Sequence, residues 1–172
     1  PAFSSQWFEE IEKHGAYPTL DDFNSFKHNK HEDKMPIPHR EYNPYVEAFW
    51  KWWPDLYRDL HTFRITGGEP LLSKDTWKVM DYIIAEPNPN KELSLSINSN
   101  LGVPDVLIDH LIQRIQRIED ENRVKEFIVY TSVDTWGPHA EYIRNGLEFN
   151  KFWDNCNKVL EASNRINLTF MS

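Results

Sequence analysis

Ile65-Thr66-Gly67-Gly68-Glu69-Pro70-Leu71-Leu72 is the stretch on which the reading of this chain depends. His61 to Thr66 reads as a short strand, and it runs straight into two glycines, a carboxylate and a proline. Two successive glycines let the backbone come close to a ligand, so their carbonyl and amide groups can meet a polar group such as an ammonium. Glu69 adds a carboxylate, and Pro70 stiffens the exit. An ordinary strand-to-helix turn also uses glycine and proline, so Gly-Gly alone says little. The full run directly after a strand says more.

Downstream, strand and helix patterns alternate. Ser73 is placed to cap a helix that runs to about Ala85, with Trp77, Met80 and Ile84 inward. Leu93 to Asn98 alternates apolar and polar and reads as a strand. Pro104 to Ile118 reads as a helix with Leu107, Leu111, Ile115 and Ile118 on one side. Phe127 to Val133 is rich in β-branched and aromatic residues, as strands are. Phe149, Phe152, Trp153, Cys156, Val159 and Leu160 mark another helix, and Ile166 to Phe170 a last strand. Strand–helix alternation predicts an α/β chain, a parallel sheet with covering helices and right-handed crossovers. An open doubly wound sheet and a partial barrel both fit, and in both the ligand sits at the carboxyl ends of the strands.

Upstream the pattern is less regular. Ser5 to His14 reads as a short helix stopped by Gly15. Residues 16–42 read as an extended connection, with Pro18, Pro36 and Pro38 and one helical turn near Asp21 to Phe26. Asn43-Pro44 opens a helix, an N-cap followed by proline in the first turn. Val46, Phe49, Trp50, Trp53, Tyr57 and Leu60 follow helical spacing and read as a core stripe, with Pro54 expected to kink or restart the helix. His28 and His31, near His14, His39, Glu32 and Asp33, are a zinc candidate. Structural zinc wants four clear ligands, so a solvated loop is the better reading.

Composition narrows the function. The 172 residues carry a net charge of −8, with 40% hydrophobic and 14% aromatic residues, enough to bury one core. An acidic chain with a pI near 5.3 argues against a nucleic-acid partner that works through phosphate neutralisation. No apolar run reaches membrane-spanning length. Cys156 is the single cysteine, which rules out an internal disulfide framework and any cluster held by several thiolates of this chain. It reads as a buried core thiol. The default compartment is the cytoplasm. The chain starts at Pro1 without an initiator Met and stops on a strand, so the expectation is a single core domain, 1–172, truncated at both ends.

Other strand ends add polar groups. Asn98-Ser99-Asn100 can bond a ribose or an amino-acid group, or simply form Asx-type turns. Ser132 and Asp134 share a face by strand alternation, and a hydroxyl beside a carboxylate suits a sugar or an amine. Arg144, in His139-Ala140-Glu141-Tyr142-Ile143-Arg144-Asn145-Gly146, can grip a carboxylate in bidentate fashion.

Together these strand ends resemble the radical S-adenosylmethionine (SAM) superfamily over about His61 to Ser172. In that family a strand ending Gly-Gly-Glu-Pro receives the methionyl amino group of SAM, which corresponds here to Gly67, Gly68, Glu69 and Pro70. An Asn/Asp-Thr-Asn-Gly pattern corresponds to Asn98-Ser99-Asn100, with Leu101 in place of the usual glycine. A Ser-hydrophobic-Asp end followed by a His-Asp-x-x-Arg-Gly-like stretch corresponds to Ser132-Val133-Asp134, His139 and Arg144. The resemblance implies a partial (β/α) barrel of parallel strands with outer helices. By it, Gly67, Gly68, Glu69, Asn98, Ser132, Asp134 and Arg144 would hold SAM, with Asp134 supporting its loop. The parent enzyme would cleave SAM reductively at a 4Fe–4S cluster to a 5′-deoxyadenosyl radical, the cofactor supplying the chemistry that the protein positions. A reductant protein and a peptide or small-molecule substrate are implied as partners, with residues 16–42 as a loop covering that substrate. The Cys-x3-Cys-x2-Cys motif that ligates the cluster is missing. The expectation is therefore a fragment, inert by itself, whose cluster cysteines lie upstream of Pro1. The alternative is a degenerate relative that binds SAM, a nucleotide or a protein without redox chemistry.

Overall fold

The computed structural model describes Lys13, residues 42–144 and residues 146–172. The expected Ser5 to His14 helix, the connection through residue 41 and all of the clustered histidines fall outside the described residues, Lys13 excepted. The chain divides into two compact units, residues 1–54 and 55–172, and the division falls at Pro54.

Helix α1, Pro44–Asp59, carries that boundary. The Asn43 side chain accepts from the backbone N–H of Tyr45 at 3.0 Å, which satisfies one of the donors a helix start leaves open. The helix is unbroken through Pro54, so the expected restart does not occur. Trp53 and Tyr57 are fully buried, whereas Val46 is exposed, so only the carboxyl half of the stripe is core. Beyond Pro54, Asn90 closes the helix. Its amide donates to the carbonyls of Tyr57 (2.8 Å) and Leu60 (2.7 Å), and its backbone N–H donates to the Tyr57 hydroxyl.

The second unit is α/β. Strands β1 (Thr62–Ile65), β2 (Ser94–Asn98), β3 (Glu126–Ser132) and β4 (Asn167–Met171) form one sheet in the order β1-β2-β3-β4, every pair parallel. Between them run a 3₁₀ turn, Pro70–Leu72, and helix α2, Lys74–Ala85; helix α3, Asp105–Asp120; then the short α4, Pro138–Ile143, and α5, Phe149–Ala162. Each strand pairs with the one before it. Right-handed crossovers in a strictly sequential order carry the connecting helices to the same face of the sheet, and α2, α3 and α5 lie side by side there.

Parallel register keeps paired residues on one face. The helix side takes Phe63, Leu95 and Phe127 in one row and Ile65, Ile97, Val129 and Leu168 in the next. Leu95, Ile97, Phe127 and Val129 are fully buried, and so are Met80, Ile83, Ile108, Leu111 and Ile115 of the helices, with Phe152 and Val159 of α5. Trp77 is not among the buried residues of α2. It stands at the flank, edge-on to the His110 ring, with the Arg114 guanidinium over it at 5.1 Å. Arginine side chains close the helix ends: Arg123 donates to the Ile83 and Glu86 carbonyls, and Arg165 to the Glu119 carbonyl.

The opposite face is polar. Its rows run Arg64, Ser96, Ile128, Asn167 and then Asn98, Tyr130, Thr169, with Ser132 beside Met171 at the carboxyl end. A parallel sheet usually has both faces covered by apolar layers. Here one face carries hydroxyls, amides, one guanidinium and, in the row Thr62, Ser94, Glu126 at the amino end, one carboxylate, with Ile128 and Met171 among them.

Candidate functional site at the carboxyl ends of the strands

All four strands point their carboxyl ends the same way, so the loops after β1, β2 and β3 gather on one edge of the sheet. Gly67 has φ +143°, a region essentially open only to glycine. A Cβ built there would meet nothing within 4 Å. Glycine is required at position 67 by the backbone, then, and not by crowding, and both Gly67 and Gly68 are exposed.

Glu69 turns inward. It is 9% exposed, and its carboxylate accepts three hydrogen bonds: from the Leu71 N–H at 3.1 Å, the Ser99 hydroxyl at 2.8 Å and the Asn100 N–H at 2.9 Å. Both oxygens are engaged. The bond to Leu71 caps the 3₁₀ turn, and the other two tie the loop after β1 to the loop after β2. The structure thus shows Glu69 as a tie between loops.

In the second loop each polar side chain has a different task. Ser99 accepts from the Leu101 N–H at 3.0 Å and Asn100 from the Gly102 N–H at 2.8 Å, the local turns that serine and asparagine favour. Leu101 has φ 51°, the left-handed region that favours glycine. The cost, of order 1–2 kcal/mol, is offset by complete burial of its side chain, and its carbonyl accepts from Asn155 of α5 at 2.8 Å. Asn98 points onto the polar face instead, where its oxygen accepts from Arg64 Nε at 2.8 Å.

At the third strand end, Asp134 Oδ2 lies 2.6 Å from Arg144 Nε. That hydrogen bond holds the Asp134 carboxyl below its usual value. Gly137, at φ 56°, and Pro138 start the short helix α4 between the pair, and this helix sets Arg144 back toward Asp134. Ser132, half-buried, is paired in register with Met171. The described contacts link Gly67–Glu69 with Ser99 and Asn100, and Asp134 with Arg144; Ser132 joins the second group through the chain. On the helix side of the same edge, Val133, Trp136, Phe149, Phe152, Trp153 and Phe170 line a wholly apolar cavity of about 220 Å³.

Comparison with protein-family models, with curated proteins and with solved structures gives no match. Function must therefore be argued from the site. No helix of the described residues is long and apolar enough to cross a membrane. Among the described residues no group of three His, Cys, Asp or Glu side chains could hold a metal ion. Cys156 is buried in α5, as expected, and burial pushes its thiol up to about 12. An isolated, protonated thiol does not suit an iron–sulfur cluster, which needs several thiolates.

Sequence reasoning overlooked Arg64 and Tyr130. Strand alternation held the signal: Arg64, Asn98, Tyr130 and Ser132 all fall on the non-apolar phase of their strands.

Proposed function

We propose that this chain is the SAM-holding part of a radical SAM enzyme, a partial barrel whose polar sheet face is the interior. The observation that carries this reading is the tie through Glu69, which draws the Gly67-Gly68 loop and the Asn98-Ser99-Asn100 loop together at the carboxyl ends of adjacent parallel strands. The open, left-handed Gly67 peptide suits an ammonium, and Arg144, oriented by Asp134, suits a carboxylate; SAM carries both. Asn98 and Ser132 would serve the remaining polar groups of the cofactor. When bound to a cluster, SAM is the source of the radical chemistry, and this chain's residues bind and orient it. The chain does not supply cluster ligands, so it would not cleave SAM by itself.

Isothermal titration of the chain with SAM and with S-adenosylhomocysteine tests the proposal. Saturable binding that is weakened at least tenfold in Arg144→Ala is expected. No heat with either ligand, from folded protein, would overturn it. Incubation with iron, sulfide and a reductant should yield no 5′-deoxyadenosine. The single buried cysteine also favours a second reading, a module that binds SAM without redox chemistry. The two readings part on whether SAM cleavage appears when cluster-bearing sequence is joined to this chain.

A further inference from the structure

Of the seven arginines among the described residues, six stand beside a carboxylate: Arg58 by Asp55, Arg114 by Asp81, Arg117 and Arg123 by Glu121, Arg144 by Asp134 and Arg165 by Glu119. Arg64 alone has no such partner among the described residues. It is also the only cation in the four strands.

Arg64 is nevertheless held. Nε donates to Asn98 Oδ1 at 2.8 Å, the guanidinium lies over the Tyr130 ring at 4.5 Å, and Nη2 approaches Met171 Sδ at 3.6 Å. The four contributing residues come from all four strands. None of the three partners is charged, so the guanidinium is oriented without being neutralised, and Nη1 has no acceptor among the described residues. A surface arginine normally loses side-chain entropy when it grips an anion; here part of that ordering is already in place. A planar fork with free donors is matched to a carboxylate or a phosphate.

We infer that the polar face of the sheet carries an oxyanion site centred on Arg64, which takes a carboxylate or phosphate of a small-molecule substrate. Tyr130 and Asn98 position the guanidinium; Arg64 makes the contact. Arg64 lies three residues before Gly67, about 10 Å of extended chain, so the guanidinium stands back from the Gly67 loop, and Asn98 adjoins both sites. That the anion belongs to the substrate of the SAM reaction rests on the proposed function. The site itself rests on geometry alone.

The test follows the arginine Nε–Hε resonances of the ¹⁵N-labelled chain during titration with inorganic phosphate and, separately, acetate, each against chloride at matched ionic strength. One resonance, missing in Arg64→Lys, should shift saturably. Measured by isothermal titration, since the reporting resonance is lost in Arg64→Gln, that variant should bind at least tenfold more weakly and Tyr130→Leu severalfold more weakly, the latter with the charge intact. Stronger binding of phosphate would mark a phosphorylated substrate, and stronger binding of acetate a carboxylated one. An equal shift with chloride, or unchanged affinity in Arg64→Gln, would overturn the inference. SAM is titrated into the same wild-type sample. SAM binding without anion binding defeats the oxyanion site alone, and anion binding without SAM binding defeats the cofactor reading alone.

Discussion

Replacing Glu69 by Gln exchanges one carboxylate oxygen for an amide group's nitrogen at the junction of two loops. The side chain keeps its shape and one acceptor oxygen, but an amide nitrogen takes the place of the other oxygen. With the oxygen turned toward Leu71 and Ser99, the new N–H₂ group faces the Asn100 N–H. Turned the other way, it faces the Leu71 N–H, and Ser99 must reverse its hydroxyl. Either way one charge-assisted bond is lost and a donor is left opposite a donor. Hydrogen bonds to charged groups contribute about 1.5–3 kcal/mol, so the variant should be ~2 kcal/mol less stable. For a chain of this length that corresponds to roughly 4–8 °C in Tm. Urea and thermal melts at neutral pH measure it, with an unchanged m-value showing that the folded state keeps its compactness. Combined with Ser99→Ala, the two changes should be non-additive, because Ser99 bonds the same carboxylate whose charge the Gln variant removes. A loss under about 0.5 kcal/mol, or simple additivity with Ser99→Ala, would refute Glu69 as the tie between the loops.

Gly67→Ala should cost about 1–3 kcal/mol from backbone strain alone, since its Cβ meets no neighbour; urea melts would show it, and SAM affinity should fall with it. Asp134→Asn should leave Tm almost unchanged, because the Asp134–Arg144 pair is partly exposed, yet weaken SAM binding at least tenfold. Its carboxyl is held below the usual value by Arg144, so the pair persists through neutral pH and is lost only as pH falls through that lowered value; wild-type SAM affinity measured against pH should be flat until strong acid. Glu119 has the opposite sign. Burial raises its pKa, with Arg165 opposing, so its contribution to stability is present in acid and lost as pH rises through the raised value. Glu119→Gln should be more stable than wild type at neutral pH and show a flatter pH dependence, and a less stable variant in denaturant melts would mean that the Arg165 pair outweighs burial.

The strands and long helices were legible because their burial is periodic. Leu95 and Ile97, or Leu111, Ile115 and Ile118, announce one apolar face each, and the structure places those faces in the core. Strand ends shifted by a residue, as at Glu126–Ser132 against the expected Phe127 to Val133, since alternation marks faces better than ends. The 3₁₀ turn and α4 went unread because elements of three and six residues are too short to show a period, although Gly137-Pro138 carried the start signal for α4. Strand alternation could not choose between an open sheet and a barrel. The task of Glu69 was hidden for a different reason: Ser99, its partner, lies thirty residues away. A carboxylate after two glycines looks the same in sequence whether it faces a ligand or a neighbouring loop. Arg64 was passed over because a single arginine in a strand looks like any exposed one until its partners are counted.

The sequential order of the sheet has a consequence for how the chain assembles. Each strand hydrogen-bonds to the one synthesised just before it, so no strand has to wait for a distant part of the chain to find its place, and every loop closed is of similar, moderate length. A ribosome releasing this chain from its amino end would deliver β1, then a helix, then the neighbour of β1, and so on. Order of synthesis and order of assembly coincide. The same arrangement leaves a bare row of backbone donors and acceptors on the newest strand at every stage, so the growing sheet is always ready for its next strand and always exposed to the wrong one.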